Sequence, residues 1–244
     1  MPTALGLDFP TDWSRQQPAR AIREVTLAGV VRPLLRTLSS MTVLGTDTLP
    51  TTSTMIFTAN HVSHLDTPLV LSALPAAIRR RTVVAAAMDT FFLHVRTAYP
   101  TVLLFNAIPI ERHKVNRRSA ELAQRLLESR WHLLIYPEGG RTTTGDLQDF
   151  KGGAAYLSER TGAVVVPTFV WGAGELMGRR YAKAERYTRV ANRFRSPITV
   201  AFGPPLHQLE GENIRRFGAR IHEAVAELGR QVSGDDSYGR ASTS

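Results

Sequence analysis

The chain has 244 residues, 43% of them hydrophobic, and a formal net charge of +9 at a pI near 10.6. That size and apolar share suit a single domain with a full core, and the charge points to an anionic partner: a phosphorylated metabolite, an anionic membrane surface or nucleic acid. The absence of cysteine excludes disulfides, a thiol nucleophile and a cysteine zinc site.

In chain order, residues 1–19 carry Pro, Asp and Gln without periodicity and read as an extended arm. Their first dozen residues lack a basic segment followed by an apolar one, so no signal peptide is expected. Residues 20–44 form a helical pattern. Ile22, Val25, Leu27, Ala28, Val31, Leu34, Leu35, Leu38 and Met41 make a broad apolar stripe, with Arg20, Arg23, Arg32 and Arg36 off or beside it. Pro33 is predicted to kink or split this helix. Such a basic amphipathic segment either lies in a membrane interface or packs on its own domain. No apolar run approaches the ~18 residues of a spanning helix, so any membrane contact is expected to be peripheral.

Residues 54–58 are the first clear strand, and Asn60, His61, His64 and Asp66 follow at once. Thr67 is predicted to cap a helix that Pro68 opens and Leu74 closes. Arg79, Arg80 and Arg81 read as a solvated charge run. Residues 82–86 are predicted as a strand, 89–98 as a helix and 102–105 as a third strand. Residues 116–130 are helical, with Leu122, Ala123, Leu126 and Leu127 on one face. Strands are predicted at 132–136, 163–171 and 198–203, and helices at 151–161 and 213–232. Residues 172–196 are rich in Arg, Lys and Tyr without a clear pattern, and 233–244 read as a disordered tail. The alternation implies a single α/β domain over 20–232: a mostly parallel mixed sheet flanked by helices, with the amphipathic segment at its N-terminal side.

Three predicted strand ends are followed by polar clusters: Asn60 to Asp66, Glu111 with Arg112, and Glu138 to Thr142. Parallel strands place their carboxyl ends on one side of a sheet, so these clusters are expected to share a cleft. A histidine with a carboxylate at turn spacing makes a base and its orienter: Asp66 holds the ring of His61 in one tautomer, and the other nitrogen faces outward. No G-x-S-x-G elbow is present, which favours direct attack by a substrate hydroxyl over a covalent enzyme intermediate. The guanidinium forks of Arg112 and Arg141 match phosphate or carboxylate. Gly139 and Gly140 let backbone N–H groups approach an anion closely.

These blocks together resemble the glycerophospholipid acyltransferases, typified by lysophosphatidate acyltransferase. The family's N-H-x-x-x-x-D block is matched by Asn60, His61 and Asp66. Its second block is matched by Ile108-Pro109-Ile110-Glu111-Arg112, with Asn106 where Gly is common. The block Phe-Pro-Glu-Gly-Thr-Arg-Ser reads here as Tyr136-Pro137-Glu138-Gly139-Gly140-Arg141-Thr142, and Phe150-Lys151-Gly152-Gly153 resembles the Phe-Lys-x-Gly that follows it. Val166-Pro167 and residues 200–206 match later blocks, so the resemblance covers roughly 54–206 in order.

The resemblance implies transfer of a fatty acyl group from acyl-CoA or acyl carrier protein to a hydroxyl of lysophosphatidate. His61 is then the base, oriented by Asp66. Arg112, Arg141 and Lys151 hold the acceptor's phosphate, and Glu138, Gly139 and Gly140 organise that site. No metal or cofactor is implied beyond the thioester co-substrate. The partners implied are acyl-CoA, a lysophospholipid and the cytoplasmic face of a membrane, with no nucleic acid. The loss of a Thr hydroxyl at Gly140 keeps other acceptors open: a glycolipid, another lysophospholipid or dihydroxyacetone phosphate. Two more distant readings are a metal-dependent hydrolase built on His61, His64 and Asp66, and a non-enzymatic lipid-binding protein.

Overall fold

Seven strands lie in one sheet: β1 (Ser39–Leu44), β2 (Met55–Ala59), β3 (Thr82–Ala87), β4 (Ala107–Ile110), β5 (His132–Ile135), β6 (Val164–Trp171) and β7 (Ser196–Phe202). Their order is β1-β7-β6-β2-β5-β3-β4. Every neighbouring pair is parallel except β6 with β7. The structure is a computed structural model, and it describes residues 5–112, 117–142, 144–177, 195–235 and 238.

The helices are α1 (Ala19–Thr26), α2 (Arg32–Leu38), α3 (Asp66–Ala73), α4 (Ala76–Arg79), α5 (Met88–Phe91), α6 (Val95–Phe105), α7 (Arg117–Glu128), α8 (Gly153–Thr161), α9 (Ala173–Met177) and α10 (Ile214–Ser233). Side chains alternate across a strand, and the central strands use both faces. Phe57, Leu134 and Val166 point to a core shared with α2 and α3. Their neighbours Ile56, Leu133 and Val165 point to a second core under α7, α8 and α10. Burial on both faces is why β2 and β6 read as continuous apolar runs.

The amphipathic segment is shorter than its periodicity implies. It is helical from Ala19 to Leu38 through α1, a π turn at Leu27–Val31 and α2. Residues 39–44 leave it to become β1, paired in parallel with β7. Met41 and Val43 continue the helical stripe by spacing, yet they also alternate as a strand does, and the distant β7 settles the choice. Pro33 sits in the first turn of α2, where its missing N–H costs little.

The predicted strand at 102–105 is instead the last turn of α6, and the strand of this region is β4. A short apolar run fits a buried helix as well as a strand. The switch is at Asn106, whose φ of +53° stops the helix in the left-handed region. Its side chain donates to Thr82 O at 2.9 Å and accepts from Ser14 Oγ at 2.8 Å. The helix expected at 89–98 is two pieces, α5 and α6.

Residues 6–8 and 12–15 form 3-10 turns, and Phe9 packs edge-on to Phe92 and Tyr99 at 5.7 and 5.1 Å. Tyr238, in the predicted tail, is buried in a notch at Gly229, where a Cβ would lie 2.5 Å from its ring. Most of the rest of that tail, and residues 178–194 of the basic stretch, lie outside the described residues. The Arg79–Arg80 part of the charge run faces Glu24, at 2.8 and 3.2 Å, and Arg81 lies over the Trp131 ring.

Asn60 prolongs the pairing of β2 with β6 by side chain. Its Oδ1 accepts from Val170 N at 2.8 Å and its Nδ2 donates to Val170 O at 3.1 Å, fully buried. Asn60→Ala leaves two buried backbone groups unpaired and is expected to cost about 2–4 kcal/mol. Urea unfolding measures this; a loss under about 0.5 kcal/mol would show that the two bonds do not hold the strand end.

Candidate active site

The strands β2, β3, β4 and β5 run parallel, so the chain leaves them on one side of the sheet. That side carries His61 after β2, Asp89 after β3, Arg112 after β4 and the 136–142 turn after β5. The three clusters expected to share a cleft are brought together, and hydrogen bonds link them.

His61 and Asp66 meet at 2.9 Å between Nδ1 and Oδ2. The carboxylate has no exposed surface, whereas the imidazole side chain is 18% exposed. The same Oδ2 accepts the N–H groups of Val62 and Ser63, each at 2.8 Å. The tight loop is thus folded around the acid. With Asp66 accepting at Nδ1–H, the neutral ring carries its lone pair on Nε2.

Thr67 does not cap α3. The helix starts at Asp66, two residues before Pro68, without a side-chain cap, and the Thr67 hydroxyl meets the Tyr136 hydroxyl at 2.9 Å. Burial pushes the Tyr136 phenol well above its ordinary value. Its ring lies against the His61 imidazole, with centroids 4.2 Å apart and planes 23° apart.

Glu138 fixes the His61 backbone. Its Oε1 accepts from His61 N at 2.7 Å, and its Oε2 accepts from Gln148 N at 3.1 Å. Thr142 N donates back to His61 O at 2.8 Å. Burial pushes the Glu138 carboxyl up to about 8, against the pull of those two N–H donors. Gly139 has a φ of +76°, and a Cβ there would lie 2.5 Å from Lys151 Nζ. Both the backbone conformation and the space call for glycine.

The three predicted cations line this turn in different states. Arg112 pairs with Asp89 at 2.9 Å and donates to Gly139 O at 3.3 Å. The Lys151 ammonium donates to Arg112 O, and its backbone N–H donates to Pro137 O at 2.9 Å. Arg141 makes no hydrogen bond or ion pair with the described residues; its charge helps, after desolvation, to hold the His64 imidazole below its ordinary value. A Cβ on Gly140 would lie 3.7 Å from Arg112 Nη1, so the site has room there. His64 packs edge-on to Phe91. Among the described residues no three His, Asp or Glu side chains gather to hold a metal ion.

Sequence reasoning passes over Asp89, Gln148 and the ring of Tyr136. Asp89 sits in a segment with no motif, and Tyr136 reads as the tail of an apolar strand. Only the β2–β5 pairing puts that ring beside His61.

With Glu138 raised from 4.5 to about 8, the fold binds a proton that the unfolded chain has released. Its contribution to stability is complete below pH 4.5 and is lost as pH rises through about 8. Urea midpoints are expected to fall between about pH 4.5 and about pH 8 and to level off above it. Glu138→Gln is expected to flatten this dependence and to cost about 1–3 kcal/mol at neutral pH, because its amide NH2 meets a backbone donor. An equally steep loss between those two pH values in the variant would assign the dependence to another group.

The Acyltransferase family model matches residues 40–171, which contain every site residue named above. The 1-acyl-sn-glycerol-3-phosphate acyltransferase alpha of Bos taurus is 25% identical over 200 residues, covering 81% of this chain and 65% of that protein. The 1-acyl-sn-glycerol-3-phosphate acyltransferase of Cocos nucifera is 28% identical over 176 residues, covering 68% of this chain and 51% of that protein. The chain thus spans between half and two thirds of the length of these relatives. The crystal structure of the 1-acyl-sn-glycerophosphate (LPA) acyltransferase PlsC from Thermotoga maritima has a TM-score of 0.67 at 16% identity, covering 91% of this chain and 86% of that one. That likeness is one of fold. The family model spans more than half of the sequence, and the chain belongs to the Acyltransferase family.

Proposed function

We propose that this chain is an O-acyltransferase of phospholipid biosynthesis. It moves a fatty acyl group from acyl-CoA, or from acyl carrier protein, to a hydroxyl of lysophosphatidate. The observation that carries the reading is the contact of His61 Nδ1 with the buried Asp66 carboxylate beside a turn lined by Arg112, Arg141 and Lys151. The names of the two curated relatives support the acceptor.

In this scheme the acceptor hydroxyl attacks the thioester carbonyl while His61 Nε2 takes its proton. Asp66 keeps the ring in the required tautomer and stabilises the imidazolium. The C–O bond forms and the tetrahedral oxyanion collapses with loss of the C–S bond. The proton on His61 then passes to the departing thiolate sulfur. Backbone N–H groups near the 138–142 turn are the donors proposed for the oxyanion.

Arg141 takes the acceptor's phosphate, with Arg112 and Lys151 lining the same turn from neighbouring segments; charged forks suit that group. Glu138 organises the site through the His61 and Gln148 N–H groups rather than by proton transfer. The scheme uses no metal and no cofactor beyond the thioester.

The N-terminal helix gives the reaction a lipid surface. Ile22, Val25, Val30, Leu34 and Leu38 stand between 43% and 71% exposed on it. Among the described residues no helix is long and apolar enough to cross a membrane. The seat proposed for these side chains is peripheral, on the cytoplasmic face, helped by basic residues worth about 1 kcal/mol each at an anionic surface. A second reading keeps the chemistry and changes the acceptor to a glycolipid, another lysophospholipid or dihydroxyacetone phosphate; the open space at Gly140 favours it.

His61→Ala is expected to lower kcat by ~10²–10⁴-fold with the fold intact. Undiminished turnover in acyl-CoA assays would remove His61 as the base. Arg141→Ala is expected to raise KM for a phosphate-bearing acceptor by roughly 10–100-fold, the worth of a charged hydrogen bond, and to change use of a neutral acceptor little. An unchanged KM would put the phosphate elsewhere.

A further inference from the structure

The hydrogen bond to Asp66 fixes one edge of the His61 ring and not its plane. An imidazole held through Nδ1 alone can still tip about the Nδ1···Oδ2 line through small coupled changes at its two side-chain torsions, and each tip moves Nε2 off the line to a substrate hydroxyl. The face of the ring is therefore a separate requirement from its edge.

Tyr136 supplies that face. Its centroid lies 4.2 Å from that of His61, with the planes 23° apart. The stack is held at both ends. At one end Tyr136 directly follows β5, which pairs with β2 up to Thr58 and Ile135. At the other its hydroxyl bonds Thr67 Oγ1 at 2.9 Å, in the first turn of the helix that Asp66 begins. The edge of the imidazole and its face are thus referred to the same helix start. A phenylalanine would bring the ring without the tether, and an aliphatic side chain would bring neither. A flat π face also favours a charged imidazole over it, which an aliphatic group of similar bulk does not.

We propose that Tyr136 is a positioning residue that sets the plane of the His61 imidazole and so aims Nε2. The proposal rests on the acyl-transfer reading for the task of His61, but the stack itself is a physical arrangement that turnover need not report. Tyr136 touches His61 and Thr67 and acts through the ring it supports.

The test uses the full chain and five proteins: wild type, Tyr136→Phe, Tyr136→Leu, Thr67→Val and the double variant Tyr136→Phe with Thr67→Val. The first readout is the NMR resonance of the His61 Nδ1 proton shared with Asp66. It is expected to be downfield and slow to exchange in wild type and in the Phe variant, and lost to fast exchange in the Leu variant. The second is steady-state acyl transfer. Tyr136→Leu is expected to lower kcat by roughly 10–100-fold, the scale of a misplaced reacting group, with KM for the acceptor unchanged.

Tyr136→Phe is expected to recover kcat to within about threefold of wild type. A folded Leu variant that keeps both the Nδ1 proton and kcat would overturn the proposal, as would a rise in KM in place of the fall in kcat. If the Leu variant does not fold, the tether decides. Tyr136→Phe and Thr67→Val should then give equal, non-additive losses, and additive ones would overturn the proposal. A proton lost in the Leu variant, in a wild-type protein that turns over no acceptor, would support the stack and sink the acyl-transfer reading. Turnover in wild type with neither readout altered by Leu would sink the stack alone.

Discussion

A carboxylate with no exposed surface is costly to bury unless its oxygens are met by donors. Asp66 meets that demand at Oδ2, with the N–H groups of Val62 and Ser63 and the imidazole of His61, while its buried Oδ1 has no hydrogen-bond partner among the described residues. The loop from His61 to Asp66 takes its shape from those three contacts. Asp66 also stands in the first turn of α3, where the helix dipole favours a negative charge. One acid therefore shapes the loop, begins a helix and orients the His61 imidazole. Everything proposed for His61 depends on it.

The second constraint is the parallel sheet. Because β2, β5, β3 and β4 run the same way, four chain segments far apart in sequence leave the sheet side by side. Glu138 then ties the segment after β5 to the segment after β2 through the His61 N–H. Burial keeps that carboxyl protonated up to about pH 8. The charge of the turn is thus left to Arg112, Arg141 and Lys151, set against Asp89 on Arg112. A net positive turn beside His61 is the electrostatic setting that the proposed phosphate-bearing acceptor calls for.

The elements that were misread share a cause. Residues 39–44 place their apolar side chains at spacings that satisfy either period, residues 102–105 are a short apolar run, and contacts distant in sequence decided both: β7 beside the first, and Thr82 and Ser14 on Asn106 at the end of the second. Asn106 shows a helix end that local chemistry nearly reveals: Asn tolerates the left-handed region, and the family commonly has Gly there. Thr67 shows the reverse. A hydroxyl beside a proline suggests a cap by local rule, yet the Tyr136 hydroxyl on the neighbouring strand end claims it.

By itself, the sequence determined the alternation of strands and helices, the residue types at the strand ends and the family blocks that order them. These follow from local period, turn chemistry and covalent spacing. Tertiary structure alone decided that Glu138 grips the backbone of His61, that Asp89 holds Arg112 while Arg141 has no partner among the described residues, and that Tyr136 lies flat on the imidazole. Such contacts depend on which strands are neighbours. Register between distant segments is set by the packing of the whole sheet, so it cannot be read from either segment alone.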